Sequence, residues 1–114
     1  MTRVKMLYDQ NLFRGFDMKG HAEFNKGGPD VICASLSAAS QLTINGILDW
    51  IGCDFDEVVS LNDVVKGLLR IELPEPMYVN VTVQHMFKAF ELYVKMLSEQ
   101  YPENIKFIER SEGK

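Results

Sequence analysis

The sequence predicts an α/β chain of α+β character. We expect a single-layer mixed, mainly antiparallel sheet of about four to five strands with two long helices, in the order β-β-α-β-β-α-β. The first residues alternate between apolar and charged side chains, which is typical of a strand with one buried face. Two later segments instead carry apolar residues three and four positions apart, which is typical of helices that pack on one core.

A β-hairpin opens the chain. The even-numbered residues from Val4 to Tyr8 are apolar, so they predict a strand with one face on the core. Residues 9–11 have the composition of a turn, and residues 12–18 follow as a second strand. In that strand, Gly15 indicates either a bulge or a close approach of another backbone.

The first long helix is predicted over residues 31–51, after a loop at 23–29 that has no apolar periodicity. Asp30 is a good N-cap residue, because its carboxylate can accept hydrogen bonds from the free N–H groups of the first turn. Gly46 lies inside this helix and weakens it by about 1 kcal/mol relative to Ala. Gly52 is the expected C-terminal stop.

The middle of the chain favours two strands, at residues 57–60 and 64–73, separated by a turn at 61–63. Residues 74–76, Pro-Glu-Pro, end the second of them.

A second long helix is predicted over residues 81–100, and Glu91 with Lys95 forms an i,i+4 ion pair on its solvent side. A closing strand follows at 105–109, so that residues 1–110 form one domain and 111–114 a frayed tail. The helix carries a stripe of core residues at alternating spacings of four and three: Val83, Phe87, Phe90, Val94, Leu97 and Tyr101.

Composition excludes several functional classes. The chain has 114 residues and a net charge of −4, and its Lys and Arg residues are scattered along the sequence. Nucleic-acid binding usually needs a basic face, so we expect no direct contact with nucleic acid. No apolar run reaches the roughly 18 residues of a membrane span, and the first ten residues lack the apolar centre of a signal peptide. We therefore expect a cytoplasmic protein without a membrane partner.

The two cysteines, Cys33 and Cys53, call for separate explanations. A reducing cytosol argues against a disulfide between them, and neither belongs to a Cys-x-x-Cys pair. Cys53 follows the first helix with no His or basic residue nearby, so we interpret it as a packing residue. His85 lies off the apolar stripe of the second helix and is expected in solvent, whereas Trp50 is expected in the core or on a dimer surface.

Cys33 lies where a helix can activate a thiol. In the first turn, the macrodipole and the free N–H groups stabilise a thiolate, and His21 before the glycine-containing loop can act as its base. Backbone N–H groups at the same place would stabilise the oxyanion of an acyl transfer. On the residues alone, a small buried Cys and a turn His remain the alternative reading.

The literal motif adds to this reading. Gly-His-Ala at 20–22, followed after seven residues by Asp-Val-Ile-Cys-Ala-Ser-Leu-Ser-Ala at 30–38, resembles the signature of the ribosomal-processing cysteine protease (Prp) family of bacteria. The His–Cys spacing also agrees, and the differences within the motif are conservative. The positions that agree are Gly20, His21, Ala22, Gly28, Asp30, Cys33, Ala34, Ser37 and Ala38.

The resemblance implies a specific peptide-bond cleavage. It implies that the enzyme removes the short Phe-rich N-terminal extension of a large-subunit ribosomal protein, the twenty-seventh of its series, with Cys33 as nucleophile and His21 as general base. It also implies a homodimer and no cofactor or metal. The substrate loop would include Gly20, Ala22, Phe24, Gly27 and Gly28.

Supporting roles have two readings each. Asp30 is either the N-cap alone or also the carboxylate that orients His21. Ser37 either forms a hydrogen bond in the site or bonds back to the carbonyl of Cys33. Phe16 and Phe24 are candidates for an apolar cleft that takes a Phe-containing peptide.

Two other functions compete with the protease. One is a non-catalytic module that binds a peptide or the ribosome without cutting. The other is a metal site at His21, Asp30 and Cys33, although three ligands are too few for a closed zinc site.

Overall fold

The computed structural model describes residues 1–20, 30–63 and 67–110. In these residues a five-stranded sheet and two long helices share one core, which confirms the predicted fold class. The elements are β1 (Thr2–Asp9), β2 (Leu12–Lys19), α1 (Asp30–Ile51), α2 (Phe55–Val58), β3 (Val59–Asp63), β4 (Leu68–Glu72), a 3-10 helix (Met77–Val79), α3 (Val81–Gln100) and β5 (Ile105–Ile108).

The strand order of the sheet is β3-β4-β2-β1-β5. Neighbouring strands are antiparallel except for β1 and β5, which are parallel. The mixed, mainly antiparallel character is therefore as predicted. Within residues 1–20, 30–63 and 67–110, the elements added to the predicted order are the short α2 and the 3-10 helix.

Gly15 combines both features that were predicted for it. The register of the β1–β2 hairpin shifts where Leu7 pairs with Gly15 and Tyr8 pairs with Phe13, which leaves Arg14 as the extra residue of a bulge. A Cβ atom on Gly15 would lie 1.9 Å from the carbonyl oxygen of Ile71. Only glycine allows β4 to approach β2 this closely.

The apolar stripe of α3 forms one side of the core. All of its predicted members are buried except Tyr101, which follows the helix as its C-cap and is 38% exposed. Asn80 caps the other end, because its side chain accepts hydrogen bonds from the N–H groups of Thr82 and Val83. Phe16 is fully buried and stacks on Phe90 at a centroid distance of 4.2 Å. Its predicted place in a substrate cleft is therefore wrong.

The predicted turn at residues 61–63 is wrong, because these residues belong to β3. Asn62 pairs with Leu69 of β4, and this pairing overrides the turn-like composition. The first half of the strand predicted at 57–60 is helical instead, because it belongs to α2. The backbone N–H of Asp54 donates to the Glu57 side chain at 3.0 Å and so caps the start of this short helix. The turn before β4 contains Gly67, at a φ of +67°.

Glu91 was expected on the solvent side of α3, but its side chain is buried. It accepts hydrogen bonds from Lys88 Nζ at 2.8 Å and from the hydroxyl of Tyr8 at 3.3 Å. The predicted partner Lys95 lies 3.9 Å away. Two ammonium groups and a hydroxyl compensate the lost hydration of the carboxylate, so it can be buried.

Helix α1 begins at Asp30, one residue earlier than predicted, and continues through Gly46 to Ile51. Gly52 has a φ of +72°, and its N–H donates to the carbonyl oxygen of Leu48 at 2.8 Å. This is the expected glycine C-terminal stop.

Candidate active site

The backbone brings Cys33 to the start of α1. Because the helix begins at Asp30, Cys33 falls in its first turn, where N–H groups have no partner within the helix. The side chains of Asp30 and Cys33 lie outside what the structure describes. The same is true of His21, Ala22, Phe24, Gly27 and Gly28, so the roles assigned to these residues stay predictions.

A cleft of about 180 Å³ lies between the first half of α1 and one end of the sheet. Gly20, which precedes His21, lies on one side of it, and Leu36 and Ser37, in the turn after Cys33, lie on the other. The end of β2 and the first turns of α1 therefore meet at this cleft. Among the residues that the structure describes, those that line the cleft are Thr2, Met18, Gly20, Leu36, Ser37, Ser40, Gln41, Asn62, Gly67, Leu68 and Leu69.

Gly20 fixes the direction in which the chain leaves β2. Its φ is +95°, and a Cβ atom there would lie 2.4 Å from the carbonyl oxygen of Met1. Its N–H donates to the carbonyl oxygen of Gly67 at 2.8 Å, and its own carbonyl accepts a long hydrogen bond of 3.5 Å from the Thr2 hydroxyl. The residue before His21 is thus held between the start of β1 and the turn before β4.

The polar lining of the cleft was predicted only in part. Ser37 is exposed at the cleft, and its carbonyl accepts a hydrogen bond from the Ser40 hydroxyl at 2.9 Å. Its predicted bond to the Cys33 carbonyl stays a prediction. Gln41 and Asn62 were missed. Gln41 lies four residues after Ser37 on the same helical face, which is a signal the sequence contains. Asn62 had been assigned to a turn and gave no such signal.

Cys53 lies just beyond the other end of α1 and is a free thiol of intermediate exposure that packs against the core. Its S–H donates to the carbonyl oxygen of Asp54 at 3.4 Å. Burial and the neighbouring Glu57 carboxylate raise the pKa of this thiol. A raised pKa lowers the thiolate fraction, which fits the predicted packing role and makes Cys53 a poor nucleophile.

The remaining candidates do not form a second centre. Among the described residues, no three His, Cys, Asp or Glu side chains are grouped to hold a metal ion, and the predicted alternative at His21, Asp30 and Cys33 lies outside them. His85 is exposed on α3, as expected. Trp50 is 55% exposed, which excludes the core reading. None of the described helices has the length and apolar character of a membrane span.

The chain matches known proteins over nearly its whole length. Residues 1–106 match the model of a family described as cysteine protease Prp. The structure of SMU.848 from Streptococcus mutans superposes with a TM-score of 0.79 at 24% identity, covering 94% of this chain and 91% of that one. No curated protein sequence matches the chain.

Two structures of an essential ribosomal processing protease Prp from Staphylococcus aureus are also similar. The complex with a covalently linked product peptide gives a TM-score of 0.72 at 25% identity, covering 94% of this chain and 97% of that one. The complex with a substrate peptide gives 0.77 at 22% identity, covering 96% and 100%.

Proposed function

The chain belongs to the cysteine protease Prp family, and from that premise we propose that it removes the Phe-rich N-terminal extension of a large-subunit ribosomal protein, the twenty-seventh of its series. Cys33 is the nucleophile and His21 the general base. The reaction takes place in the cytoplasm and needs no cofactor. The observation that carries the proposal is the cleft at which the segment leading to His21 and the first turns of α1 meet.

The helix start supports the role of Cys33. His21 takes the thiol proton, and the thiolate sulfur attacks the carbonyl carbon of the scissile peptide. Free N–H groups in the first turn of α1 stabilise the oxyanion. The tetrahedral intermediate then collapses, His21 protonates the departing amine, and a thioester remains on Cys33. Water, deprotonated by His21, attacks this thioester and releases the carboxylate product and the thiol.

The lining of the cleft supports a peptide substrate. Met18, Leu36 and Leu69 supply apolar surface for a side chain of the extension. Ser37, Gln41 and Asn62 supply polar groups that can bind peptide N–H and C=O groups. The S. aureus complexes with a substrate peptide and with a covalently linked product peptide support a peptide partner and covalent catalysis in this chain as well.

A homodimer is part of the proposal. Helices α1 and α3 expose large apolar side chains and enclose a groove of about 380 Å³ that includes Leu42, which is 76% exposed. A second copy would remove this surface from water. Sedimentation should give a dimer for the wild type and a monomer for Leu42→Glu. A monomeric wild type would contradict this part. The exposed large apolar side chains of α1 and α3 are Leu42, Trp50, Val81, Leu92 and Met96.

The test is cleavage of a synthetic peptide that spans the N-terminal extension of the host's own ribosomal protein, followed by mass spectrometry. We expect cleavage at one bond and a loss of at least about a thousandfold in Cys33→Ala and in His21→Ala. Cys53→Ala is the matched control, because it removes the other thiol, and it should cut at nearly the wild-type rate.

Two outcomes would overturn the assignment. Cleavage that survives in Cys33→Ala would mean that another residue is the nucleophile. Tight binding of the peptide without cleavage by the wild type would support the non-catalytic peptide- or ribosome-binding module instead.

A further inference from the structure

A row of positive charges crosses the face of the sheet that the helices leave open. On β1, Arg3 and Lys5 are exposed. Val4, which lies between them, and Met6, which follows Lys5, are buried in the core. The register pairs Arg3 with Lys19 of β2 on one side and with Lys106 of β5 on the other. Lys106, Arg3 and Lys19 therefore form one row across three neighbouring strands, which we call the cationic row.

The cationic row is unfavourable in the isolated protein. Side chains at paired positions point to the same face, and neighbouring strands lie about 4.8 Å apart, so like charges in such a row repel one another. All three side chains are exposed. Within the described ranges, none of the three forms an ion pair with a carboxylate.

The next row along the same face is built differently. There Lys5 pairs with Asp17, and Asp17 pairs with Arg70, so the charges alternate in sign. Arg70 Nη1 lies 3.1 Å from the carboxylate of Asp17, which is only 5% exposed. Alternating signs are the favourable way to make an open sheet face soluble. Solubility alone therefore does not explain why the cationic row has a single sign.

The charges surround a shallow depression. It has a volume of about 180 Å³ and is lined by Arg3, Lys5, Asp17, Lys19 and Ile108. Among the described residues of its wall, Asp17 alone carries a carboxylate, and the charge of Asp17 is already compensated by Arg70. The field above the depression is therefore positive even though the whole chain has a net charge of −4.

We propose that the cationic row binds the sugar-phosphate backbone of RNA. A straight row of cations matches the regularly spaced negative charges of a nucleic-acid backbone, whose phosphates Lys and Arg neutralise. The choice of RNA among linear polyanions rests on the proposed function, because a protease that processes a ribosomal protein meets its substrate beside ribosomal RNA. Lys19 directly precedes Gly20 of the cleft, so bound RNA would lie at the same end of the sheet as the substrate.

RNA binding at the cationic row would run against the sequence-based expectation of no nucleic-acid contact, which stays a prediction. The expectation rested on Lys and Arg residues that are scattered along the chain. Strand pairing gathers Arg3, Lys19 and Lys106 into one row although they are far apart in sequence.

The test is fluorescence anisotropy of a labelled, mixed-sequence single-stranded RNA of about 20 nucleotides, titrated with the protein at salt concentrations from about 50 to 200 mM. Three phosphate contacts predict a slope of about −2 in a plot of log affinity against log salt, because single strands contribute roughly 0.7 per phosphate. The triple variant Arg3→Gln, Lys19→Gln, Lys106→Gln should bind at least tenfold more weakly and lose most of this slope.

A matched triple variant controls for net charge. Asn11→Asp, Asn45→Asp and Gln100→Glu also lower the net charge by three, but at exposed positions outside the cationic row. We expect this control to keep most of the affinity and the wild-type salt slope. Removal of like-charge repulsion should leave the melting temperature of the first triple variant unchanged or raised, which shows that its loss of binding is not a loss of folding.

Three results would overturn the proposal: no saturable binding of RNA by the wild type at low salt, an equal loss in both triple variants, or charge-dependent self-association through the cationic row. The last result would identify the acidic surface of a second copy as the occupant. Cleavage of the isolated peptide should be unchanged in the row variant. Failure of RNA binding can therefore be distinguished from failure of the proposed protease function.

Discussion

The two ends of α1 have the same residue types nearby, but their surroundings are expected to act oppositely on a thiol. Each end has a cysteine, and each has a nearby glycine with positive φ. Cys33 lies in the first turn, where free N–H groups and the positive end of the macrodipole favour a thiolate. Cys53 lies beyond the last turn, where burial and the carboxylate of Glu57 raise the pKa of the thiol.

The two glycines differ in the space around them. A Cβ atom on Gly20, beside the cleft, would clash with the backbone of Met1, whereas a Cβ atom on Gly52 would meet nothing within 4 Å. Residue type alone therefore does not decide which of the two cysteines is the better candidate nucleophile. Our proposal of Cys33 rests on the helix polarity expected to act on its thiol and on the tertiary contacts that hold Gly20 at the nearby cleft.

The largest expected effect comes from a methyl group added at each glycine. Gly20→Ala combines a positive φ with a clash against backbone and should lower the free energy of unfolding by about 2–3 kcal/mol. It should also slow peptide cleavage, because it moves the segment that leads to His21. Gly52→Ala meets only the conformational penalty of about 1 kcal/mol and should cut at the wild-type rate. Urea unfolding and the peptide assay measure both quantities.

Equal losses of stability in the two alanine variants would contradict the claim that tertiary contacts constrain Gly20 more than Gly52. So would a fully active Gly20→Ala, because it would show that the close contact with Met1 does not position the cleft.

Periodicity predicted α3 to the residue because nearly every position of its stripe meets one environment, the core. The same argument failed at Glu91. Its ion pair with Lys95 is local, but its burial depends on Tyr8, which is 83 positions away in sequence. The turn predicted at residues 61–63 was wrong for a similar reason. Their composition favours a turn, and only the pairing with β4 makes them a strand.

The candidate site shows the same limit. The sequence predicted the start of α1 to within one residue and the place of Cys33 in the first turn, because helical periodicity is a local signal. The other wall of the cleft comes from strand ends that the sheet topology brings together, as Asn62 and Gly67 illustrate. No pattern in the sequence around either residue indicates that it lies near α1.

Thiol alkylation measures the difference between Cys33 and Cys53 directly. With iodoacetamide at neutral pH, Cys33 should react roughly tenfold faster than Cys53, because its thiolate is stabilised while that of Cys53 is disfavoured; the lower nucleophilicity of a low-pKa thiolate limits the ratio. Peptide mapping by mass spectrometry gives both rates from one sample. The difference should vanish in denaturant, where neither thiol has a helix end beside it.

Equal, slow rates in the folded protein would mean that the start of α1 does not activate Cys33. Loss of the fast phase in Cys33→Ala and its persistence in Cys53→Ala assign the rates.

A smaller effect tests the carboxylate at the far end. Glu57→Gln removes one of the charges that raise the pKa of Cys53, so this thiol should alkylate about two- to threefold faster while Cys33 is unchanged. Asp56→Asn is the matched control, because it removes an equal charge from the same short helix at a position that does not act on the Cys53 thiol. Equal acceleration in both variants would indicate a general charge effect rather than the contact with Glu57.

The smallest expected effect is the titration of Tyr78, which limits the pH range in which the two thiols can be compared. A hydrogen bond to Asp9, followed by burial, raises the pKa of Tyr78 to about 12, from 10.0 in the unfolded chain. The folded state therefore holds this proton more tightly, and the stability it contributes is complete below pH 10 and is lost as the pH rises toward about 12. Melting temperatures of the wild type should fall more steeply over this window than those of Tyr78→Phe, which has no phenol to titrate. Parallel slopes would show that the contact with Asp9 does not hold the proton. A steeper fall in the wild type would confine the alkylation comparison to pH values below 10, where the stability contributed by Tyr78 is complete.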